Sequence, residues 1–126
     1  MSKIPLINSE TYWDFRFSEN WEFHEGPQQS RFFSRLALKN LPSWLIEKIR
    51  VQSLNLVDWG CAQGDGTDVW ASYINPQQLS GVDFSEIAIK QATNRYPSIC
   101  FLNENWLESS AENNRSYDIV FSSNTL

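Results

Sequence analysis

The sequence predicts an α/β fold in which helices pack against a mostly parallel sheet, and three observations carry this prediction. An apolar run at 54–57 ends at an acid and passes into a glycine-rich turn and a helix start. A second run, at 79–82, ends at Asp83 and also precedes a helix. Two further short apolar runs follow at 99–102 and 117–121. Alternation of buried strands with helices is typical of parallel sheets.

The first strand-to-helix junction is the most informative, because its turn contains Gly60, Gly64 and Gly66. Glycine adopts backbone angles that other residues resist, and it lets the main chain approach a ligand closely. The carboxyl end of a parallel strand, beside a helix N-terminus, is where α/β folds build a cofactor crevice. Asp58, at the predicted end of the strand, therefore directs a carboxylate towards this crevice.

The spacing of the glycines in this turn distinguishes between two classes of cofactor. A dinucleotide-binding turn, G-x-G-x-x-G, would place Ala62 and Asp65 in its second and third slots, and an aspartate facing a pyrophosphate is unfavourable. The pattern acid-x-G-x-G-x-G is met, with one alanine for glycine, by Asp58, Gly60, Ala62 and Gly64. This register resembles the first motif of class I S-adenosylmethionine-dependent methyltransferases. The resemblance implies that the loop wraps the methionine part of S-adenosylmethionine (SAM) and that Asp58 faces its ammonium group. An ordinary strand-to-helix turn is the alternative.

A second acid follows at the distance expected for a nucleotide site. Asp83 lies at the predicted tip of the second strand, roughly twenty residues after Gly60, where such an acid hydrogen-bonds ribose hydroxyls. Phe84 offers a flat apolar face for adenine. Two alternatives stay open: an acid at the N-terminus of the predicted helix 86–95, which Ser85 is expected to cap, and a phenylalanine packed in the core.

The methyltransferase resemblance extends to the segments after the third and fourth strands. In the family, an aspartate that contacts the adenine amino group commonly stands where this chain has Asn105, and an asparagine oxygen accepts the same hydrogen bond. Trp106 is expected to cover the adenine; a turn residue and a core residue are the alternatives for this pair. Asp118, at the start of the fourth strand, is predicted to be structural. Further site candidates at the end of that strand are Ser122, Ser123 and Asn124.

The resemblance implies a Rossmann-like three-layer sandwich whose complete sheet has the strand order 3-2-1-4-5-7-6. This sequence carries the first four strands, in the order 3-2-1-4, so we expect a chain that is truncated relative to the whole domain. Residues 1–50 are predicted to form an N-terminal aromatic-rich helical extension, and residues 51–126 the N-terminal part of the SAM-binding domain. An edge formed by the fourth strand would expose unpaired N–H and C=O groups, which predicts self-association through it.

The extension interleaves aromatic and polar side chains and then continues into two predicted helices, at 28–39 and 42–50, with Pro42 in the first turn of the second. In the family such an extension packs beside the sheet and often caps the cofactor or substrate site. His24 is the sole histidine and is a candidate general base or a solvent-exposed turn residue. The aromatic residues are Tyr12, Trp13, Phe15, Phe17, Trp21 and Phe23.

The composition limits which binding partners and which cellular compartment we expect for the protein. The formal net charge of −5 over 126 residues argues against general attraction to nucleic acid or to an anionic membrane. The two cysteines, Cys61 and Cys100, have neither disulfide nor metal-ligand spacing; they are expected to be reduced, and no metal site is predicted. No signal peptide and no apolar run of membrane-spanning length is visible, so a cytoplasmic location is expected.

The function that the resemblance implies is methyl transfer from SAM to a nucleophilic acceptor. In such chemistry the cofactor carries the activated group, and the protein positions it against the acceptor. A small molecule or a glycan is expected as the acceptor, and no residue is assigned as catalytic base. A non-catalytic binding module that keeps the fold is the main alternative, and a nucleotide-dependent oxidoreductase is the third.

Overall fold

The computed structural model of the protein describes residues 9–19, 21–22, 25–104 and 116–123. Within these ranges the chain forms, in order, α1 (Glu10–Glu19), α2 (Gly26–Asn40), α3 (Ser43–Val51), β1 (Leu56–Trp59), α4 (Asp65–Trp70), a 3₁₀ turn (Pro76–Gln78), β2 (Leu79–Asp83), α5 (Glu86–Arg95), β3 (Cys100–Asn103) and β4 (Ile119–Ser122). From β1 to β3 the strands alternate with helices, as the sequence predicts.

The four strands form one parallel sheet in the order β3-β2-β1-β4, which confirms the predicted α/β, Rossmann-like arrangement. In the sheet register, Asp58 of β1 lies opposite Gly81 of β2 on one side and Phe121 of β4 on the other. Right-handed crossovers that move in one direction across a sheet place their helices on the same face, so α4 and α5 share a face. Because β1 and β2 are parallel neighbours, their carboxyl ends meet at the same edge of the sheet.

The helix boundaries follow the predictions closely, with one difference at α3. Pro42 was expected in its first turn, but it is the extended residue immediately before the helix. A proline suits this place because its φ is fixed at a value close to −65° and because no helix hydrogen bond needs the N–H that it lacks. Ser85 caps α5 as predicted, since its Oγ accepts the N–H of Ala88 at 3.2 Å. Helix α1 has no separate sequence prediction beyond the helical extension.

The main core lies between the sheet and the helices α2 to α5. Trp70 of α4 is 2% exposed and packs against Phe121 of β4, with ring centroids 5.1 Å apart. Along β4 the burial alternates, because Ile119 and Phe121 face this core while Val120 is 62% exposed. The residues that form this core are Leu38, Ile49, Leu56, Cys61, Trp70, Ile74, Leu79, Ile89, Ala92, Ile99 and Phe101.

Asp118 and the two cysteines are further groups for which the sequence made a prediction. Asp118 accepts the N–H of Asn55 at 2.8 Å, which confirms its structural role at the start of β4. Cys61 and Cys100 are free thiols. None of the helices in the described ranges is both long and apolar enough to cross a membrane. Those ranges also contain no group of three or more His, Cys, Asp or Glu side chains arranged to hold a metal ion.

The close packing over Gly81 yields a stability prediction. A Cβ atom at this position would lie 2.5 Å from Cδ1 of Phe101 and 3.0 Å from Sγ of Cys61. We expect Gly81→Ala to lower the free energy of unfolding by roughly 1–3 kcal/mol, because overpacking strains the core, as measured by urea denaturation. The control Ser80→Ala should change it by less than about 0.5 kcal/mol. Unchanged stability of Gly81→Ala would contradict this packing.

Candidate functional site

A cavity of about 560 Å³ opens at the carboxyl ends of β1 and β2, within the usual range for small-molecule and cofactor sites. Its floor is formed by the turn after β1 and by the end of β2. Its opposite wall is formed by α1 and α2. The site residues predicted from sequence that line it are Asp58, Gly60, Ala62, Asp83, Phe84 and Ser123.

The turn after β1 has left-handed backbone conformations at alternate residues. The φ angles are +74° at Gly60, +53° at Ala62 and +86° at Gly64, whereas Asp65 already begins α4. The loop therefore follows the alternate-residue register, not the G-x-G-x-x-G register. An alanine in this conformation costs about 1–2 kcal/mol more than a glycine, because its Cβ approaches the following carbonyl oxygen.

Gly64 faces the core and does not line the cavity. A Cβ atom there would lie 2.7 Å from Cζ of Phe101 and 3.1 Å from Cβ of Ala92. Its positive φ and this close approach both require glycine. The sequence assigned Gly64 to the cofactor-binding loop, and the structure gives it a packing role beneath that loop.

Asp83 ties the loop to the end of β2. Its Oδ2 accepts the N–H of Ala62 at 3.0 Å, and its Oδ1 accepts the N–H of Ser85 at 2.9 Å. Burial raises the pKa of Asp83, and these two hydrogen bonds oppose that effect by stabilising the ionised form. A carboxylate has about four acceptor sites, so Asp83 keeps acceptor capacity for a ligand after binding both N–H groups.

Asp58 is a buried carboxyl group that lacks a cationic partner among the described residues. It is 4% exposed, and its Oδ2 accepts a hydrogen bond from the Thr67 hydroxyl at 2.7 Å. Burial raises the pKa of Asp58 from 3.8 to about 7; the Thr67 hydrogen bond opposes the rise, and the neighbouring Asp83 charge adds to it. Near neutral pH the group is therefore poised between its two protonation states, and a cationic ligand would favour the ionised one.

The first residue of α4 is itself an acid, Asp65. Asp65 is 1% exposed; its Oδ1 accepts hydrogen bonds from Arg31 at 3.1 Å and from the Tyr96 hydroxyl at 2.6 Å. Asp65 does not line the cavity. In a dinucleotide-binding fold this helix terminus would receive the pyrophosphate, so an internal acid here is unfavourable for a phosphate ligand.

The wall formed by α1 contributes one cation, which the sequence reasoning missed. Arg16 lies 5.6 Å from the ring centroid of Trp13 and 6.0 Å from that of Trp21. Its Nη1 donates to the Tyr12 hydroxyl at 3.1 Å, while its Nε is buried without a partner. The spacing of Trp13 and Phe17, four residues apart, was the available signal that α1 presents an aromatic face to the cavity.

Helix α2 reaches the cavity because it packs closely on α4. A Cβ atom at Gly66 would lie 2.7 Å from Oγ of Ser34 and 2.9 Å from the Ser30 carbonyl oxygen. Small residues on both helices thus allow their backbones to approach. Ser30 and Ser34 line the cavity together with Phe33, and no local sequence pattern indicates this.

The charges around the cavity are unequal. Of the described residues that line it, Asp58, Asp83 and Glu104 are acidic and Arg16 is basic. Such an excess of carboxylates favours a ligand that carries positive charge. Glu104, which directly follows β3, is a further lining residue that the sequence reasoning did not single out.

Of the remaining predicted residues, the structure describes only Ser122 and Ser123 at the end of β4. Ser123 lines the cavity, whereas the Ser122 hydroxyl donates to the Trp59 carbonyl oxygen at 3.1 Å. The others lie outside the described residues, so their roles stay predictions: His24, Asn105, Trp106 and Asn124.

Comparison with known proteins places the second half of the chain in a family. The sequence model of the family described as "Methyltransferase domain" matches residues 56–126. No curated protein matches the chain.

Solved structures share the fold at low sequence identity. Magnesium protoporphyrin IX methyltransferase (ChlM) from Synechocystis PCC 6803, with bound SAM, is similar with a TM-score of 0.55 and 15% identity over 96% of this chain and 64% of its own. The sugar N-methyltransferase KedS8 from Streptoalloteichus sp ATCC 53650 is similar with a TM-score of 0.53 and 11% identity, over 98% of this chain and 42% of its own. The chain therefore spans less than two thirds of either protein.

The raised pKa of Asp58 predicts that this acid destabilises the folded protein above neutral pH. A carboxyl group with a higher pKa in the folded state, about 7, than in the unfolded chain binds its proton more tightly when folded. Its contribution to stability is therefore fully present below pH 4 and is lost as the pH rises towards 7. Asp58→Asn retains an acceptor for Thr67 and has no charge to bury.

We expect Asp58→Asn to match the wild type in free energy of unfolding near pH 4 and to exceed it by roughly 1–4 kcal/mol at pH 8, since one pKa unit corresponds to about 1.4 kcal/mol. Urea denaturation at both pH values measures the difference. A variant that is less stable than the wild type at pH 8 would show that Asp58 is not an unpaired buried charge.

Proposed function

Since the chain belongs to the methyltransferase-domain family, we propose that its cavity binds SAM and that the protein is a SAM-dependent methyltransferase. The observation that carries this proposal is the pair of buried acids, Asp58 and Asp83, at the ends of neighbouring strands, on either side of a loop with left-handed residues at alternate positions. In this proposal residues 51–126 supply the cofactor half of the domain, and residues 1–50 cap it.

The methionine part of SAM needs both an anion and a cation, because it carries an ammonium group and a carboxylate. Asp58 is the candidate for the ammonium group, since its poised carboxyl group gains most from a nearby positive charge. Arg16 is the candidate for the carboxylate. It is the one cation among the described lining residues, and its buried Nε has a hydrogen bond to donate.

The adenosine part of SAM is assigned to the end of β2. Asp83 keeps free acceptor sites that suit two vicinal ribose hydroxyls. Phe84 lines the cavity beside it and offers an aromatic face for adenine. Asn105 and Trp106 complete the proposed adenine contacts, as the family resemblance implies.

When bound, SAM supplies a methyl group activated by attachment to a positively charged sulfur. The part of this chain is to hold that group in place and to exclude water around it. The acidic lining, with Asp58, Asp83 and Glu104, favours binding of the positively charged donor over its neutral product. Product release is thereby assisted by the same charges that recruit the donor.

A dinucleotide is a poorer fit to the same cavity. A pyrophosphate would meet three carboxylates in the lining and a further acid, Asp65, at the first position of α4. The loop register also differs from the dinucleotide pattern. These observations favour a sulfonium cofactor over a nicotinamide one.

For the acceptor we propose a small molecule or a glycan, with a cytoplasmic location for the reaction. The solved methyltransferases of the same fold include a sugar N-methyltransferase and a porphyrin methyltransferase. The net charge of −5 disfavours nucleic acid as acceptor. The exposed fourth strand is a candidate surface for self-association.

The proposed function is tested by calorimetry with SAM, S-adenosylhomocysteine and NAD. We expect binding of both sulfur compounds and none of NAD. Asp83→Ala and Arg16→Gln should each weaken binding roughly tenfold or more, since a hydrogen bond to a charged group contributes about 1.5–3 kcal/mol. The matched control Arg35→Gln, at an exposed position of α2, should bind as the wild type does. Tight NAD binding without a response to SAM would overturn the assignment.

SAM binding should also release a proton from Asp58. The bound ammonium group lowers the pKa of Asp58 from about 7, so the affinity should rise from pH 5.5 and level off above pH 7. Calorimetry in buffers of different ionisation enthalpy measures the release, and Asp58→Asn should abolish it. Binding that is independent of pH in this range would place the ammonium group elsewhere.

The alternative is a binding module that holds SAM without turnover. It is separated from the enzyme by offering labelled SAM with libraries of small-molecule and glycan acceptors. Transfer of the label to any acceptor class excludes the module, whereas cofactor binding without transfer favours it.

A further inference from the structure

Ala62 has a backbone conformation that an alanine rarely adopts. Its φ of +53° lies in the left-handed region, between two glycines that adopt the same conformation. The residue is 7% exposed, so its methyl group is buried. A glycine would relieve the backbone at this position, and the alanine is therefore expected to bring a contact that a glycine lacks.

The methyl group of Ala62 belongs to a buried cluster that joins α1 to the loop. This cluster, which we term the α1 seat, consists of Phe17, Ala62 and Ala88, with Trp13 and Trp21 packed against it. Phe17 is 5% exposed and is the most buried of the described side chains of α1. The seat thus lies where α1, the cofactor loop and α5 meet.

Polar contacts hold α1 in the same place. The Ser85 hydroxyl donates to Oδ1 of Asp14, and Nε2 of Gln91 donates to the Phe17 carbonyl oxygen at 3.3 Å. Nε2 of Gln63, the loop residue after Ala62, in turn donates to Oε1 of Gln91 at 2.8 Å. The loop and α1 therefore share α5 as a common support.

On the basis of the proposed SAM site, we infer that Ala62 is a positioning residue that couples the cofactor loop to α1. Its N–H donates to Asp83, the proposed ribose acceptor, while its methyl group packs against Phe17 in the α1 seat. When α1 is packed on the α1 seat, Trp13 and Arg16 lie on the cavity wall. The contact thereby sets how long the cofactor stays bound.

The test is the dissociation rate of S-adenosylhomocysteine, followed by stopped-flow tryptophan fluorescence. We expect Ala62→Gly to raise this rate roughly fourfold, the factor that corresponds to one buried methyl group. Its melting temperature should stay equal or rise, because the glycine relieves the backbone. The matched control Ala71→Gly removes a methyl group at the end of α4, away from the cavity, and should keep the wild-type rate.

A double-mutant cycle with Phe17→Leu shows whether Ala62 acts through α1. In the Phe17→Leu background, Ala62→Gly should have little further effect on the rate. Equal effects in both backgrounds, or an unchanged rate in Ala62→Gly alone, would overturn the inference.

Hydrogen exchange of the α1 amides in the ligand-free protein gives a readout that does not depend on the cofactor. Ala62→Gly should speed exchange over residues 13–17, and Ala71→Gly should not. If the wild type binds no S-adenosylhomocysteine, the proposed function fails, and this exchange comparison still decides whether Ala62 seats α1. Unchanged exchange in Ala62→Gly would overturn the coupling whatever the protein binds.

Discussion

The structure depends on the carboxylate of Asp83, which joins two segments that each contribute to the cavity. One oxygen holds the N–H of Ala62 in the loop, and the other holds the N–H of Ser85 at the start of α5. The Val82 carbonyl oxygen accepts further loop hydrogen bonds, from the N–H groups of Gly60 and Cys61 at 2.7 and 3.0 Å. Because these contacts fix the loop to the end of β2, the floor of the cavity is formed before any ligand binds. Such preorganisation reduces the entropy cost of binding.

The electrostatics of the site oppose stability and favour binding. Asp58 is buried with one neutral hydrogen-bond donor, and its raised pKa reports the cost of ionising it there. By contrast Asp65, also buried, is paired with Arg31 and Tyr96. The chain thus gives a cationic partner to the acid that faces away from the cavity, whereas the acid inside it has none among the described residues. Destabilised groups of this kind are typical of functional sites.

The N-terminal helices are part of the site as much as of the scaffold. Helix α2 approaches α4 through Gly66 and Ser34, and α1 rests on the loop through Phe17 and Ala62. As a result, Arg16 and the aromatic rings of the α1 and α2 wall come from the first half of the chain, and the acids of the cavity lie at the ends of the strands. The family match begins at residue 56 and does not include these helices.

The strand order was implied by the resemblance of the sequence to the family. The sequence by itself determined the strand-to-helix junctions, the register of the loop and the cap of α5. These features are encoded within a few neighbouring residues, by apolar runs, glycine spacing and a capping serine such as Ser85. Only the tertiary structure decided which helices cover the cavity, that Arg16 lines it, that Gly64 packs against Phe101, and that Asp65 pairs with Arg31. The physical reason is that these contacts join residues more than thirty positions apart. They depend on how helices pack across the sheet, which no local pattern specifies.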